Sequence, residues 1–456
     1  METSAAPPPL PESKPALGTY RFSKLGSWLA VLVITACALL VLQMNGAEQP
    51  DTASDVKPNP VLELVARYAV GLKGLMESTG QKDAGLAATV LRDAETVSQG
   101  EADEFRILLV KSWLNDARPT EAESNAFAAK NDGLRQDVAA LGQLKATEGK
   151  VAEDVWRPFL KRHGWIAKMA RAQAAGADDP ARQEIVQQAI GTTLVLLGGT
   201  TLGMLAAVGG LVLMILAIVR WRNGRLRLTL ERRDTGHGGV LMEGFALYLA
   251  LFLFLPSLVR ALPFSLPRWT VYVAAAVALI VGMGWPLLRG MRGQCWRESM
   301  GLHGGQGLLR EMGAGILGWL AALPLIVLGM IAASWITKIT GQFPSHPIVE
   351  VFAGDGWAKF GAIMLAVVWA PVSEELMFRG LLFPGLSAWL RWVPGMLVSA
   401  FVFAVIHPQG WAGVPAIMAL AAAFSLLRMW RQSLIAPMTA HALNNGLMCA
   451  MMMLLW

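Results

Sequence analysis

Nine apolar runs, separated by polar or basic stretches, divide this chain. They fall at about residues 27–42, 190–219, 240–259, 270–288, 312–336, 357–383, 394–407, 413–427 and 433–456. A helix of about 20 apolar residues matches the hydrocarbon thickness of a bilayer, so each run predicts a membrane crossing. The run at 190–219 is Gly-rich and long for one crossing, which predicts tilt or extension beyond the bilayer. Between the first two runs lies a polar region, residues 46–185. There Val61, Leu62, Leu64, Val65 and Ala69 share one side of a helix predicted over 58–75. Similar patterning recurs over 87–97, 104–114 and 151–169. Ala, Leu, Glu, Gln and Lys are common and β-branched runs are few, which favours a small helical domain. The chain shows no repeat of fixed period and no inverted pair of interrupted helices. The predicted fold is therefore all-α: a polytopic transmembrane helical bundle of about nine crossings with a small helical extracytoplasmic domain.

These patterns divide the chain into five parts. Residues 1–26 are Pro-rich and read as a disordered cytoplasmic tail, and 27–45 as a transmembrane anchor. The segment before that anchor is long, and the exit Asn45-Gly46-Ala47 is a poor cleavage site, so an uncleaved anchor is expected rather than a secretory signal. Residues 46–185 form the extracytoplasmic domain, 186–236 a transmembrane helix with a basic cytoplasmic loop, and 237–456 a multi-span core.

Composition agrees with membrane insertion. The 456 residues are 54% hydrophobic and 16% charged, against about a quarter charged in a soluble domain. The net charge of +6 is explained by loop placement. Arg220, Arg222, Arg225, Arg227, Arg232 and Arg233 follow the second run. With the spans alternating from a cytoplasmic N-terminus, Arg289, Arg292, Arg297, Arg310, Arg391, Arg428 and Arg431 share that side. The outer loops keep chiefly Arg260, Arg268 and Lys338. No nucleic-acid partner is expected; the expected partner is the lipid bilayer. The partner of residues 46–185 is unknown. Cys37, Cys295 and Cys449 lie outside the polar domain, so no disulfide framework is expected there. His163 is alone in that domain and reads as a surface or packing residue.

Three of the last four runs carry polar groups that a lipid-facing helix would not tolerate, since a charge at bilayer depth costs at least a few kcal/mol. The first group is Glu374-Glu375-Leu376-Met377-Phe378-Arg379. Glu375 and Arg379 are four apart and share a helix face; the pair is either a clasp between helices or part of the site. Glu374 points about 100° away and has no local partner. A desolvated, unpaired carboxylate suits a general base. The second group is Phe403-Ala404-Val405-Ile406-His407, with the Phe403 ring placed to shield His407 and Pro408 ending the helix. Alone, His407 also fits an interfacial histidine. The third is His441-Ala442-Leu443-Asn444-Asn445. His441 and Asn445 share a face and both can donate to an oxyanion, or else bond neighbouring helices. Asn444 faces elsewhere, as a packing contact. Together the three groups supply a base, a second proton carrier and two oxyanion donors, the parts for water attack on an amide.

Glu-Glu-x-x-x-Arg at 374–379, Phe-x-x-x-His at 403–407 and His-x-x-x-Asn at 441–445 resemble the signature of the CPBP family, which includes the type II CAAX prenyl endopeptidases and the bacterial ABI proteins. Ser433 to Met438 resembles the family's lead-in to its last motif. The resemblance is specific over about 355–450 and reaches back to about 240 on hydropathy alone. It implies that 237–456 is a CPBP-like protease core and that the chain is an intramembrane glutamate endopeptidase. A membrane-anchored protein or peptide would be a partner only as the substrate that this resemblance implies. Glu374 and His407 would activate water, and His441 and Asn445 would form the oxyanion hole. Glu375, Arg379 and Phe403 would organise the site. The implied mechanism uses no cofactor and no metal, although a Glu/His/His/Asn set is also chemically able to hold zinc. There is no His-Glu-x-x-His and no Gly-x-Ser-x-Gly. Ala353-Gly354-Asp355-Gly356 reads as a loop turn rather than an aspartyl protease motif. The expected location is a bacterial inner membrane with the N-terminus cytoplasmic. The competing readings are a non-catalytic scaffold or immunity protein that keeps these residues for packing, and a proton-coupled transporter.

Overall fold

The computed structural model describes residues 23–46, 58–81, 85–95, 98, 100–230, 234–261, 267, 269–340, 352 and 356–455. Most of the N-terminal tail, Arg232, Arg233, Arg268 and the 353–355 part of the loop turn lie outside the described residues. Every regular element among the described residues is helical.

Helix α1 (Lys24–Gly46) is the first apolar run. The polar region then folds into six helices: α2 (Pro60–Ser78), α3 (Leu86–Glu95), α4 (Glu101–Leu114), α5 (Glu121–Ala128), α6 (Asp132–Ala146) and α7 (Glu153–Ala175). Local signals start them. Asn59 caps α2, with Pro60 in its first turn, and Thr120 with Glu123 forms a reciprocal capping box on α5. Asn131 caps α6. Apolar stripes from these helices meet in one core containing Leu62, Phe105, Trp113, Leu144, Phe159 and Met169. Helix α7 breaks at Gly164, whose φ of 56° suits glycine. The Glu63 carboxylate accepts from the Trp165 backbone N–H at this break, 3.2 Å away.

Helix α8 (Pro180–Arg222) has 43 residues, about 65 Å at 1.5 Å per residue. That is roughly twice the bilayer core of about 30 Å, and the structure shows where the excess goes. Ile185 and Ala189 belong to the domain core, while the remainder is an apolar span with most of its surface exposed. Gly71 on α2 makes this junction possible, because a Cβ there would lie 2.1 Å from the Ala189 carbonyl oxygen.

The remaining helices form the core. They are α9 (Thr235–Arg260), α10 (Thr270–Leu288), the short α11 (Gly293–Met300), α12 (Leu308–Thr340) and α13 (Gly356–Leu390). α14 (Trp392–Val405), α15 (Gly410–Arg431) and α16 (Ile435–Leu455) complete the chain. Helix α9 packs against α1, α10 and α13, and α12 against α8, α15 and α16. Each of the nine expected crossings falls on a helix. Seven of them (α1, α8, α9, α10, α12, α13 and α15) are long and apolar enough to cross a membrane. Helix α14 is too short, and α16 is diluted by His441, Asn444 and Asn445.

One detail differs from expectation. Arg428 and Arg431 are not free loop charges. Arg428 is buried and donates to the carbonyls of Ser299 and Gln432, and Arg431 forms a two-pronged pair with Glu311 at 2.7 and 2.9 Å. The domain also touches the core directly: Arg67 Nη1 donates to the Leu455 carbonyl at the end of α16, 3.2 Å away.

Candidate active site

Helix α13 positions the two glutamates and is not a uniform α-helix. Its residues Leu365–Trp369 and Leu376–Leu382 are π-helical turns, with an α-helical stretch, Ala370–Glu375, between them. Each wide turn precedes a proline by a residue or two, Pro371 and Pro384. A proline inside a helix lacks an N–H and collides with the carbonyl four residues back. A wider turn relieves that collision and is common at functional sites.

From this segment Glu374 and Glu375 diverge. Glu375 is fully buried, and its Oε1 accepts from Arg379 Nη1 at 3.0 Å and from His441 Nδ1 at 2.9 Å. Arg379 is also buried. Its Nη2 donates to the Ala421 carbonyl at 2.8 Å, and its guanidinium lies 4.7 Å from the Phe403 ring and 5.2 Å from the Phe424 ring. Aromatic faces of this kind attract a cation. Glu374 has no such partner: its Oε2 is buried and receives no hydrogen bond. The nearest charged groups are His407 Nε2 at 3.7 Å and His441 Nε2 at 3.8 Å, too far for direct hydrogen bonds.

Both imidazoles are held from behind. His407 Nδ1 lies 2.6 Å from the Phe403 carbonyl, an acceptor, so Nδ1 carries the proton. Its ring packs 4.4 Å from the Phe403 ring, the shielding that the four-residue spacing predicts. His441 Nδ1 donates to Glu375, and its ring stacks on Phe424 at 5.0 Å. Each imidazole therefore turns Nε2 toward Glu374 Oε2. Helix α14 has 14 residues, about 21 Å, less than the bilayer core of about 30 Å.

Asn445 is placed differently from expectation. Its Nδ2 donates to the Ala366 carbonyl at 2.8 Å, and its Oδ1 accepts from Asn444 Nδ2 at 3.3 Å. Asn444 Oδ1 in turn accepts from Trp319 Nε1 at 3.4 Å. Asn444 is thus a bonded neighbour of the site rather than a simple packing contact. Trp319, Phe424, Ala421 and Ala366 were not legible as site residues. The one available signal was Pro371, five residues after Ala366, which removes that carbonyl's π-turn donor.

Residues 356–447 match the model of the family described as type II CAAX prenyl endopeptidase Rce1-like. The C-terminal segment is Rce1-like. The resemblance read from its three motifs and the family match agree, and the Rce1-like segment contains Glu374, Glu375, Arg379, Phe403, His407, His441 and Asn445. The match does not extend to the helical domain or to the first spans. No curated protein and no solved structure matches the chain. Among the described residues, no group of three or more His, Cys, Asp or Glu is arranged to hold a metal ion.

Proposed function

We propose that the chain is an intramembrane endopeptidase in which Glu374 and His407 activate water against a peptide bond of a membrane-associated protein or peptide. The observation that carries this reading is the buried, unbonded Oε2 of Glu374, faced by two imidazoles whose Nδ1 atoms are already engaged. Separations of 3.7 and 3.8 Å are longer than a direct hydrogen bond and of the length that one bridging water spans. That water gives a proton to Glu374 or His407 as its oxygen attacks the carbonyl carbon. The same proton passes to the amide nitrogen as the C–N bond breaks.

His441 and Asn445 meet the developing oxyanion. Since Nδ1 of His441 is committed to Glu375, His441 donates from Nε2 only as the imidazolium. Glu375 and Arg379 hold His441 and the α13–α15 contact in place.

The reaction uses no metal on this reading. The basic face, carrying Arg220 and Arg222 at the end of α8, is cytoplasmic, and the helical domain lies on the other side of a bacterial inner membrane. The test is cleavage by purified protein in lipid. One substrate peptide ends in a prenylated cysteine, and the other is an unlipidated transmembrane segment. Wild type cleaves at least one, and Glu374→Ala and His407→Ala cleave neither while still inserting in the membrane. Cleavage persists after chelation. Activity lost on chelation and restored by zinc would replace the metal-free mechanism with a zinc one.

A further inference from the structure

The carbonyl of Ala366 has lost both of its helical donors. In an α-helix it would accept from the N–H of residue 370, but the Ala370 N–H reaches back to Leu365 instead. In a π turn it would accept from residue 371, and that residue is proline. Ala366 is half-buried, and a carbonyl withdrawn from water without a donor is unfavourable. Here the donor comes from another helix, Asn445 Nδ2 at 2.8 Å. The far side of the same carboxamide is also fixed. Asn445 Oδ1 accepts from Asn444, and Asn444 Oδ1 accepts from Trp319 Nε1.

A carboxamide offers two N–H donors and one carbonyl oxygen. In Asn445 the oxygen and one N–H are engaged by these partners. The second N–H is the group that remains for a ligand. We infer that Trp319 and Asn444 are positioning residues that, together with the orphaned Ala366 carbonyl, lock the Asn445 carboxamide so that its second N–H is aimed at the oxyanion. Pro371 is the sequence device that creates the lock, because an N–H at position 371 would compete for Ala366. This inference rests on the peptidase reading proposed above.

Preorganised donors contribute most when they need no reorientation during the reaction. A carboxamide released from Asn444 rotates, and the loss falls on turnover rather than on substrate binding. Trp319→Phe keeps the ring and removes only the N–H, Asn444→Leu removes the bond to Asn445, and Pro371→Ala supplies the competing N–H.

The test measures kcat and KM for wild type and these variants in lipid, with Glu374→Ala alongside. Asn444→Leu is expected to lower kcat about tenfold, part of the roughly 10²–10³ that loss of an oxyanion donor itself costs, with KM within about twofold. Trp319→Phe lowers kcat less. Because Trp319 acts through Asn444, the double variant is no worse than Asn444→Leu alone. Pro371→Ala also lowers kcat, although replacing a mid-helix proline ordinarily stabilises. An active Glu374→Ala would overturn the peptidase reading. A dead Glu374→Ala beside unchanged kcat in Asn444→Leu and Pro371→Ala would overturn the lock alone. Side-chain amide NMR of asparagine-labelled protein, with the Asn445 signal assigned by its loss in Asn445→Ala, reads the lock without any substrate. Faster rotation and hydrogen exchange of that amide in Asn444→Leu support it, and rates equal to wild type would overturn it.

Discussion

The helical domain and the membrane core both bury charge in pairs, and the core departs from that pattern at one residue. In the domain, Arg106 pairs with Asp103, donates from Nε to His163 Nδ1 at 3.3 Å and reaches the Arg162 carbonyl. His163 Nε2 lies 2.9 Å from Asp137, which also binds Arg162 at 2.5 Å. Each acid there faces a base. In the core, Glu243 binds Arg289 and Trp285, Glu311 binds Arg431, and Glu375 binds Arg379 and His441. Glu374 alone among these four core glutamates has a carboxylate that accepts no hydrogen bond among the described residues. Glu375 Oε2 is also buried without a hydrogen bond, but its Oε1 holds Arg379 and His441; a carboxylate that accepts none at either oxygen is kept at a cost to stability that the proposed chemistry explains.

That contrast can be broken at several points. The largest effect is expected for Arg379→Met, which strands Glu375 in a buried site. Removing one partner of a buried pair costs about 3–5 kcal/mol, so thermal unfolding in detergent shifts sharply downward and cleavage disappears with it. Asp137→Ala in the domain leaves Arg162 and His163 without their carboxylate. A loss of about 3 kcal/mol is expected, seen as faster hydrogen exchange across α4, α6 and α7, while the exchange of α13 to α16 is little changed.

Acidification tests the same network more gently. Burial, chiefly, holds the His163 imidazole below its ordinary value near 6.5. Burial pulls the Asp137 carboxyl up, but its bonds to His163 and Arg162 outweigh that and hold it below its ordinary range. Both groups bind fewer protons folded than unfolded, so stability rises with pH. The His163 contribution is complete above about pH 6.5 and is lost as pH falls below it; that of Asp137 is lost at lower pH. Protection factors in the domain, that is, exchange corrected for its intrinsic pH dependence, are therefore lower at pH 5 than at pH 7.5, and His163→Gln flattens the difference. The smallest expected effect is on stability in Glu374→Gln. Removing the charge of a partly buried carboxylate that accepts no hydrogen bond leaves the melting temperature unchanged or raises it by a few degrees.

The seven long apolar helices were legible because about 20 apolar residues in a row have few other uses in a protein. Helices α2, α3, α4 and α7 were legible from their apolar stripes. Helices α5 and α6 were not predicted, because α5 is short and polar and both depend on a shared core assembled from distant segments. Their caps, Thr120 with Glu123 and Asn131, were visible signals left unread. Within the site, pairs four residues apart (Glu375 with Arg379, Phe403 with His407, His441 with Asn445) follow from helix geometry. The π turns are invisible to a 3.6-residue period. Trp319 lies more than fifty residues before Glu374 with no local motif, so only the packing of α12 on α16 reveals it. His163 looks like a lone surface or packing residue in the sequence because Arg106 and Asp137 reach it from other helices.

The most direct measurement is the paired melting temperature and cleavage rate of Glu374→Ala in lipid. A protein that inserts, melts at or above the wild-type temperature and cleaves no substrate is the predicted result. Normal proteolysis by that variant, or a collapse of its stability like that expected of Arg379→Met, would show that Glu374 is a structural charge like the others and would contradict the account.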